Sequence, residues 1–461
     1  MSTSAILPNI PRTRVRALLL CVLATTGLSA QRSLSLSDAI QEGLANNYQI
    51  RLSRADLAVA ENNDSYSLTD KYPTISLGVT PQVSYRDNVN PASIVAQSTV
   101  VTYGVGPAAN LNWTLFNGGR VEIAKDQLAT VRELSEGQLQ VQVENSVAQI
   151  IQAYYNTVVQ QEQIDVRQRV LNLSRDQVEY QNVRRDFGRA GTFDELQAKD
   201  AYLTDSTQLV LQQLNYEVAT QNLLQVLGSD NINEPLTLTT ELKFDDDRFD
   251  ETALVQRLEA NNSQLRTLAT NRALAGIQTE LIQTEYKPTV ALVTGLGYDF
   301  SVATGTQTFD FNDDRPSREV KLPGFKAPAR TLSGNIGFGV NYLLYDGKNR
   351  KVREQSARLE ELTSKLEYDA TNQQLRTQLL NAVARHNNQT QLVNITQDLI
   401  ANAERNITIA EERFRGGTIN SFDYRIIQVN LVNAEFQLLN ALLNLKNTET
   451  EVLRLTGQVV Q

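Results

Sequence analysis

The sequence predicts a mainly α-helical fold that carries membrane β-strands and is built as an internal duplication. An alternating segment led by a proline opens each half, at Tyr72-Pro73-Thr74 and at Lys287-Pro288-Thr289, and a long tract without proline follows each pair of such segments. Glycines recur at one spacing: Gly118 and Gly347 are 347 − 118 = 229 positions apart, and so are Gly228 and Gly457. Because a repeat of this length is a structural unit, each copy is predicted to fold to the same plan.

Residues 1–30 have the order of a secretory signal peptide. Three arginines precede the apolar run Ala17 to Leu28, and small residues follow at Ser29-Ala30. The run is too short for a mature membrane helix, so we expect cleavage between about residues 27 and 31. Cys21 could carry a lipid anchor, but Leu20 before it is bulkier than lipoprotein processing usually accepts.

Charge and cysteine content exclude several classes of function. The formal net charge is −9, and removal of residues 1–30, with three arginines and no acidic residue, lowers it to −12. Such an exported acidic chain is a poor candidate for nucleic-acid binding. The same cleavage removes the one cysteine. The sequence also has no phosphate loop or nucleophile elbow, so we expect no enzyme activity, no cofactor and no metal site.

The proline-free tracts predict very long helices. Residues 120–187 could form one continuous helix of about 100 Å. Apolar residues recur every seven positions in both copies: Val159, Val166, Leu173, Tyr180 and Phe187, and later Val393, Ile400, Ile407 and Phe414. This period predicts left-handed coiled-coil hairpins. His386, one heptad before Val393, lies on the same seam, and without a second histidine or a cysteine it is expected to tune packing rather than bind metal.

The proline-led segments predict four membrane strands. Apolar residues alternate with small polar ones, and the positions predicted to face lipid include Ile75, Leu77, Val79, Val105, Trp113, Leu292, Ile336 and Phe338. A soluble half-buried sheet would show the same alternation, but each segment exceeds the ~9–11 residues of a membrane strand and follows a signal peptide. We therefore favour a transmembrane barrel. Residues 86–99 and 301–330 are predicted to be loops, the second longer than the first.

Four strands are too few to close a barrel. A barrel needs about eight or more strands, and lipid does not tolerate an open sheet edge. The chain must therefore assemble with copies of itself, and two, three or four copies would give eight, twelve or sixteen strands.

These patterns divide the chain as follows: 1–30 signal peptide, 31–71 N-terminal helices, 72–117 first strand pair, 118–228 first helical hairpin, 229–250 linker, 251–287 helices of the second copy, 288–346 second strand pair with a long outer loop, and 347–461 second helical hairpin.

Several short motifs in duplicated order resemble the TolC family of outer-membrane channels. They are Leu36-Ser37-Asp38-Ala39-Ile40 with Asn46-Asn47, the echo Ala253-Leu254 with Asn261-Asn262, Phe116-Asn117-Gly118-Gly119-Arg120, and Arg413-Phe414-Arg415-Gly416-Gly417-Thr418. The resemblance covers essentially the whole mature chain. It implies a homotrimer whose twelve-stranded barrel crosses the outer membrane, contacts outer-membrane lipid and continues as a periplasmic α-helical barrel of coiled-coil hairpins.

The resemblance also implies function and partners. Members of this family connect through a periplasmic adaptor, also called a membrane fusion protein, to an inner-membrane pump of the RND, ABC or MFS type. They serve efflux or type I secretion, and substrates pass without covalent change. A periplasmic coiled-coil adaptor or scaffold without a barrel is the alternative, although such a protein does not need four membrane-length strands.

Candidate site residues lie at the turns between the long helices. Asp423 falls where the family places an acidic residue that narrows the tunnel, and three copies would attract cations. A solvated aspartate at a helix start is the alternative interpretation. We expect a periplasmic gate formed by Asp423, Arg425, Asp194 and Glu195. The family's second acidic position is Ile426 here, and which carboxylate of the first turn faces the pore stays open.

The same turns are expected to bind the adaptor. The residues that the resemblance assigns to this surface are Arg189, Gly191, Thr192, Arg415, Gly416, Gly417 and Thr418. Gly191, Gly416 and Gly417 are expected to supply the permissive backbone of the turns. The first turn is also expected to be irregular, because Gly191 lies four residues after Phe187, whereas Gly417 lies three after Phe414.

Overall fold

The computed structural model describes residues 32–244, 249–311 and 315–460. The predicted signal peptide with Cys21 lies outside the described residues, as do residues 245–248 of the linker and 312–314 of the long outer loop. The described residues fall into two compact units, one from residues 32–52, 140–244, 249–262 and 374–460, the other from residues 53–139, 263–311 and 315–373.

The described elements alternate between strand pairs and helices. The helices are α1 (Leu36–Asn46), α2 (Tyr48–Asn63), α3 (Arg120–Asp186), α4 (Thr192–Leu227), α5 (Glu251–Asn261), α6 (Ser263–Thr284), α7 (Asn349–Arg415) and α8 (Ser421–Leu455). The strands are β1 (Arg32–Leu34), β2 (Thr74–Val89), β3 (Val95–Phe116), β4 (Leu236–Leu238), β5 (Thr289–Phe309), β6 (Arg318–Lys321) and β7 (Ala329–Asn341). Together with the duplicated order, this confirms the predicted mainly helical fold with a strand domain.

The two hairpins repeat with one constant offset. Helices α3 and α7 both have 67 residues, and both ends of α7 lie 229 positions after those of α3 (349 − 120 and 415 − 186). Each hairpin is preceded and followed by a left-handed glycine, with φ of 73° at Gly118, 68° at Gly347, 74° at Gly228 and 71° at Gly457. Neither long helix has an insertion relative to the other, so the two copies keep one length.

The first unit has a helical core closed by a small parallel sheet. The side chain of Tyr154 on α3 is fully buried beside Leu223 and Leu227 of α4. Its hydroxyl donates to the carbonyl oxygen of Leu34 at 2.9 Å and accepts from the backbone N–H of Thr240 at 3.0 Å. These contacts anchor β1 and β4, which pair in parallel and were not expected within the N-terminal and linker segments.

An equivalent asparagine connects the helices in each copy. Asn47 donates from its side chain to the carbonyl oxygen of Val226 at 2.7 Å, and Asn262 donates in the same way to Leu455 at 3.0 Å. Both asparagines are buried, so the duplicated Asn-Asn motif ties the short entry helices to the returning helices.

The second unit contains the antiparallel sheet β2-β3-β5-β7, with β6 continuing beside the far end of β5. The prediction that 86–99 and 301–330 are loops is wrong for much of both segments. Asp87 pairs with Thr99, and β5 continues to Phe309. Beyond the part of the strands in which apolar and polar residues alternate, polar residues occupy both faces. The alternation that marks a membrane strand is therefore lost there, while the backbone pairing continues.

The register places all eight predicted lipid-facing residues on one face of this sheet. In antiparallel pairs, residues directly opposite point to the same side. Leu292 lies opposite both Trp113 and Phe338, and Ile75 connects through Leu111 and Thr294 to Ile336. In the same way Val79 lies opposite Pro107, two residues from Val105, and Leu77 lies opposite Ala109. The sheet therefore has one continuous apolar face.

One described helix has the length and composition of a membrane span. Helix α8 contains an 18-residue window with mean hydropathy 1.2. Its apolar residues Leu442 and Leu445 instead pack against Val393 of α7 in a buried cluster. We therefore assign α8 to the helical core.

Candidate functional site

The first tip turn joins α3 to α4 and is built around Gly188. Gly188 has φ of 68°, its N–H donates to the carbonyl oxygen of Arg185 at 2.8 Å, and the N–H of Arg189 donates to that of Arg184 at 2.7 Å. This pair of hydrogen bonds is a Schellman motif. Gly191, with φ of −86° and ψ of 163°, is the N-cap of α4 in an extended conformation. The predicted role of Gly191 as the permissive residue is therefore wrong, and Gly188 has that role.

The second tip turn, between α7 and α8, repeats this geometry at Gly417. Gly417 has φ of 72°, its N–H donates to Phe414 at 3.0 Å, and the N–H of Thr418 donates to Arg413 at 2.9 Å. Gly416 continues the helix with an N–H bond to the carbonyl oxygen of Glu412 at 2.9 Å, so of the two adjacent glycines predicted to supply permissive backbone only Gly417 has a positive φ. Gly188 and Gly417 are 229 positions apart and have the same role in the two turns. The first turn was expected to be irregular because Gly191, which is not the equivalent residue, was compared with Gly417.

The acidic residues of the first turn both have partners within the tip. Asp194 is the third residue of α4, and its Oδ2 accepts from the N–H of Gly191 at 3.2 Å. Glu195 accepts from Arg185 at 2.6 Å. The hydrogen bond with Glu195 is the largest of the causes that raise the pKa of Arg185 above its ordinary value. Both carboxylates therefore stabilise the start of α4 and its junction with α3.

Asp423 and Arg425 are not brought together. Asp423 is exposed at the third position of α8, where its backbone N–H donates to Oδ1 of Asn420 at 2.8 Å. Within the described part of the chain its carboxylate makes no ion pair. Arg425 instead forms an ion pair with Asp205 of α4.

Asp205 is the centre of a buried polar cluster that sequence reasoning missed. Only 4% of Asp205 is exposed, and its other oxygen accepts from the hydroxyl of Ser174 on α3. Arg167 lies nearby: the charge of Asp205 acts to raise its pKa, but burial, the larger effect, lowers it below the ordinary value. The carboxylate thus connects α3, α4 and α8.

A sequence signal for this cluster exists. Four buried residues of α4 follow each other every seven positions: Ala198, Asp205, Gln212 and Ala219. An acid in the heptad register of two alanines points into the helical interface rather than to solvent. From the sequence alone, however, Asp205 resembles one of the many charged residues of a solvated helix face.

The seven residues assigned to adaptor binding are all exposed at the two turns. Three phenylalanines are exposed beside them: Phe187 and Phe193, each 76% exposed, and Phe422, 57% exposed. The predicted place of Phe187 in the apolar seam is wrong, because α3 ends at Asp186 and the side chain lies beyond the coiled coil. Exposed aromatic side chains of this size mark a surface suited to a protein partner.

His386 is buried in α7, and its ring centroid lies 4.6 Å from that of Phe249. Among the residues described here, no group of three or more His, Cys, Asp and Glu side chains could hold a metal ion.

Comparison with known proteins points to one class. The family model described as "Outer membrane efflux protein" matches residues 39–229 and 254–458. No curated protein matched the chain.

Among solved structures, the outer membrane channel CmeC of Campylobacter jejuni has 16% identity and a TM-score of 0.75, with 92% of this chain and 85% of that chain covered. The outer membrane protein VceC of Vibrio cholerae has 16% identity and a TM-score of 0.69, with 92% and 96% covered. The MtrE channel of Neisseria gonorrhoeae, solved in an open state, has 15% identity and a TM-score of 0.67, with 92% and 89% covered.

Proposed function

The chain belongs to the outer membrane efflux protein family, and from this premise we propose that three copies form one exit duct. It is a transport duct rather than an enzyme, located in the outer membrane with a helical extension in the periplasm. Substrates pass through it without covalent change. The observation that carries the proposal is a sheet with one continuous apolar face and two edges that pair with no other strand of the described residues.

The two edges support self-assembly. Among the described strands β2 pairs only with β3, and β7 pairs only with β5. Because lipid cannot satisfy backbone N–H and C=O groups, β7 of one copy must pair with β2 of the next. Strand number alone allows two, three or four copies, and the family resemblance favours three and thus twelve strands.

Membrane insertion tests this proposal against the adaptor alternative. The purified protein should fractionate with outer membranes, migrate as an oligomer that heat dissociates, and produce discrete conductance steps in planar lipid bilayers. A monomer that remains in the soluble periplasmic fraction would favour the adaptor or scaffold.

We assign the resting gate to the tip carboxylates. The exposed Asp423 of each copy would line the constriction, while Asp194 and Glu195 hold the first turn in shape and Arg425 holds α8 to α4. Arg185, Arg415 and Arg425 already pair with acids of their own chain. Arg184, Arg189 and Arg413 make no ion pair in the described part of the chain, but Arg184 donates to the carbonyl oxygen of Arg189 at 3.1 Å and lies over the ring of Tyr180. Arg189 and Arg413 are therefore the arginines left to bind Asp423 of a neighbouring copy.

Single-channel recording tests this gate. The Asp423→Ala variant should have a higher resting conductance and a weaker block by divalent cations than the wild type, because three carboxylates leave the entrance. Arg189→Ala and Arg413→Ala should raise the conductance without weakening the block. Unchanged conductance and block in Asp423→Ala would exclude the role. The open state of MtrE supports a gate in this class of channel.

The surface of the two tip turns also supports a proposal about the partners of the duct. We propose that a periplasmic adaptor binds the two turns and the exposed phenylalanines, and that an inner-membrane pump of the RND, ABC or MFS type, in efflux or type I secretion, delivers the substrate. Substitution of Phe193 and Phe422 by serine should abolish cross-linking to the adaptor and export, while channel formation persists. The matched control is Phe311→Ser, because Phe311 is also exposed but lies in the segment of the predicted outer loop and not at the tip turns.

A further inference from the structure

The polar face of the sheet carries one charged side chain over a long stretch. A row is here the set of residues that lie opposite one another across β2, β3, β5 and β7. On the polar face, the rows from Thr74 to Gln82 of β2 consist of glycine, alanine, serine, threonine, asparagine, glutamine and one valine, with Asp299 as the exception. Asp299 lies opposite Thr331 of β7. A Cβ atom added to Gly106 of β3 would come within 3.2 Å of Oδ1 of Asp299. One oxygen of this half-buried carboxylate therefore lies over a glycine, which has no side chain to displace it.

The nearest charge on the same face is too distant to neutralise Asp299. Arg86 lies six residues beyond Thr80 on β2, in the direction of the β2–β3 turn. At the rise of an extended strand this separation is about 20 Å. The Debye length is about 8 Å at physiological ionic strength, so the two charges are screened from each other in a water-filled pore.

We infer that Asp299 makes the strand part of the duct selective for cations and cationic cargo. This inference depends on the proposed function, since the polar face becomes a lumen only when copies close a barrel with the apolar face in lipid. One carboxylate from each copy then contributes to a ring, and such rings attract cations and repel anions. The small residues around it leave this ring as the only fixed charge on the polar face at its level, because Arg330 in the adjacent row lies opposite Phe300 on the other face.

Ion selectivity measures this directly. In planar bilayers under a KCl gradient, Asp299→Asn should lower the ratio of K⁺ to Cl⁻ permeability by about twofold or more relative to wild type. The matched control is Asp87→Asn, which makes the same charge change on the apolar face of the same sheet, where Asp87 accepts from the hydroxyl of Thr99 at 2.9 Å. Asp87→Asn should retain the wild-type ratio.

The tip carboxylates could hide the effect, so both variants are also measured in the Asp423→Asn background. An unchanged ratio for Asp299→Asn in both backgrounds, or a loss of selectivity only in Asp87→Asn, would overturn the inference while the proposed duct stands. A wild-type protein that never conducts would overturn both.

Cysteine labelling gives an independent readout. The one cysteine of the sequence, Cys21, lies in the predicted signal peptide, so Asp299→Cys supplies the only thiol of the mature chain. A positively charged methanethiosulfonate reagent should reduce the conductance of Asp299→Cys in steps and leave Asp87→Cys unaffected. Absence of any conductance change in Asp299→Cys would show that this position does not face the pore.

Discussion

The two helical hairpins share one backbone plan but differ in their polar side chains. Positions 229 apart are equivalent in α3 and α7, in both tip turns, and in α4 and α8. In the buried cluster, however, Asp205 corresponds to Ala434, Arg425 to Leu196, and Ser174 to Ala403. One α4–α8 contact therefore carries an ion pair, and the equivalent positions carry only apolar residues.

This difference separates what both copies of the fold require from what is particular to one contact between the hairpins. Helix length, the Schellman turns and the buried asparagines occur in both copies, so they serve the packing that both copies need. The ion pair occurs once, and the positions equivalent to it carry Leu196 and Ala434 instead. We conclude that the Asp205 cluster holds one particular helix contact rather than the hairpin itself.

The largest effect is expected for Asp205→Ala. This change leaves the guanidinium of Arg425 without its carboxylate and removes the counter-charge of Arg167, so the free energy of unfolding should fall by about 3 kcal/mol. Denaturant unfolding of the purified protein, followed by circular dichroism, measures the loss.

A double variant tests whether the pair or the space it fills is important. Asp205→Ala combined with Arg425→Leu places at each position the residue found 229 positions away, Ala434 for Asp205 and Leu196 for Arg425. It should recover most of the lost stability, because no unpaired Arg425 remains. If the double variant is as unstable as Asp205→Ala alone, the two hairpins are not interchangeable at these positions.

A smaller and symmetric effect is expected at the glycines that end the returning helices. A Cβ at Gly228 would overlap the carbonyl oxygen of Asn46, and one at Gly457 would come within 2.7 Å of that of Asn261. Gly228→Ala and Gly457→Ala should therefore each lower the free energy of unfolding by about 2 kcal/mol or more.

The tip glycines are matched controls for this prediction. Gly188 and Gly417 have similar φ values, but no atom lies within 4 Å of an added Cβ. Their alanine variants should lose only the left-handed preference, about 1 kcal/mol. An equal decrease in the free energy of unfolding at all four glycines would show that the close approach to Asn46 and Asn261 does not affect stability.

The smallest change in stability is expected at the equivalent acids Asp194 and Asp423. Loss of either carboxylate from a first helical turn should cost about 1 kcal/mol or less. Asp194→Ala removes a cap on Gly191, whereas Asp423→Ala removes an exposed charge, so only Asp423→Ala should change single-channel conductance. Equal conductance changes in both variants would place both carboxylates at the pore.

Much of the fold was predictable because it depends on periodic patterns. The seven-residue period and the absence of proline predicted α3 to within one residue of its end, at 186 instead of 187. The strand faces followed from alternation over the apolar band. The distal ends of the strands did not, because both of their faces are polar and only the backbone pairing marks them.

The site was less predictable, since its residues depend on contacts between helices. Asp205 has the sequence environment of a solvated acid, and its burial appears only when α3, α4 and α8 meet. The left-handed role of Gly188 could have been found from the spacing of 229, which leads from Gly417 to Gly188. The prediction for Gly191 relied instead on its distance from Phe187, four residues before it.

The unpaired strand edges have a consequence for biogenesis. The helical hairpins satisfy their own backbone hydrogen bonds, so they can form in each newly exported copy. Within the described residues, the sheet of a single copy has two edges without a partner strand and an exposed apolar face, a combination that promotes aggregation in water. We expect a newly secreted copy to need a chaperone in the periplasm. Closure of the β-barrel should coincide with its insertion into the outer membrane.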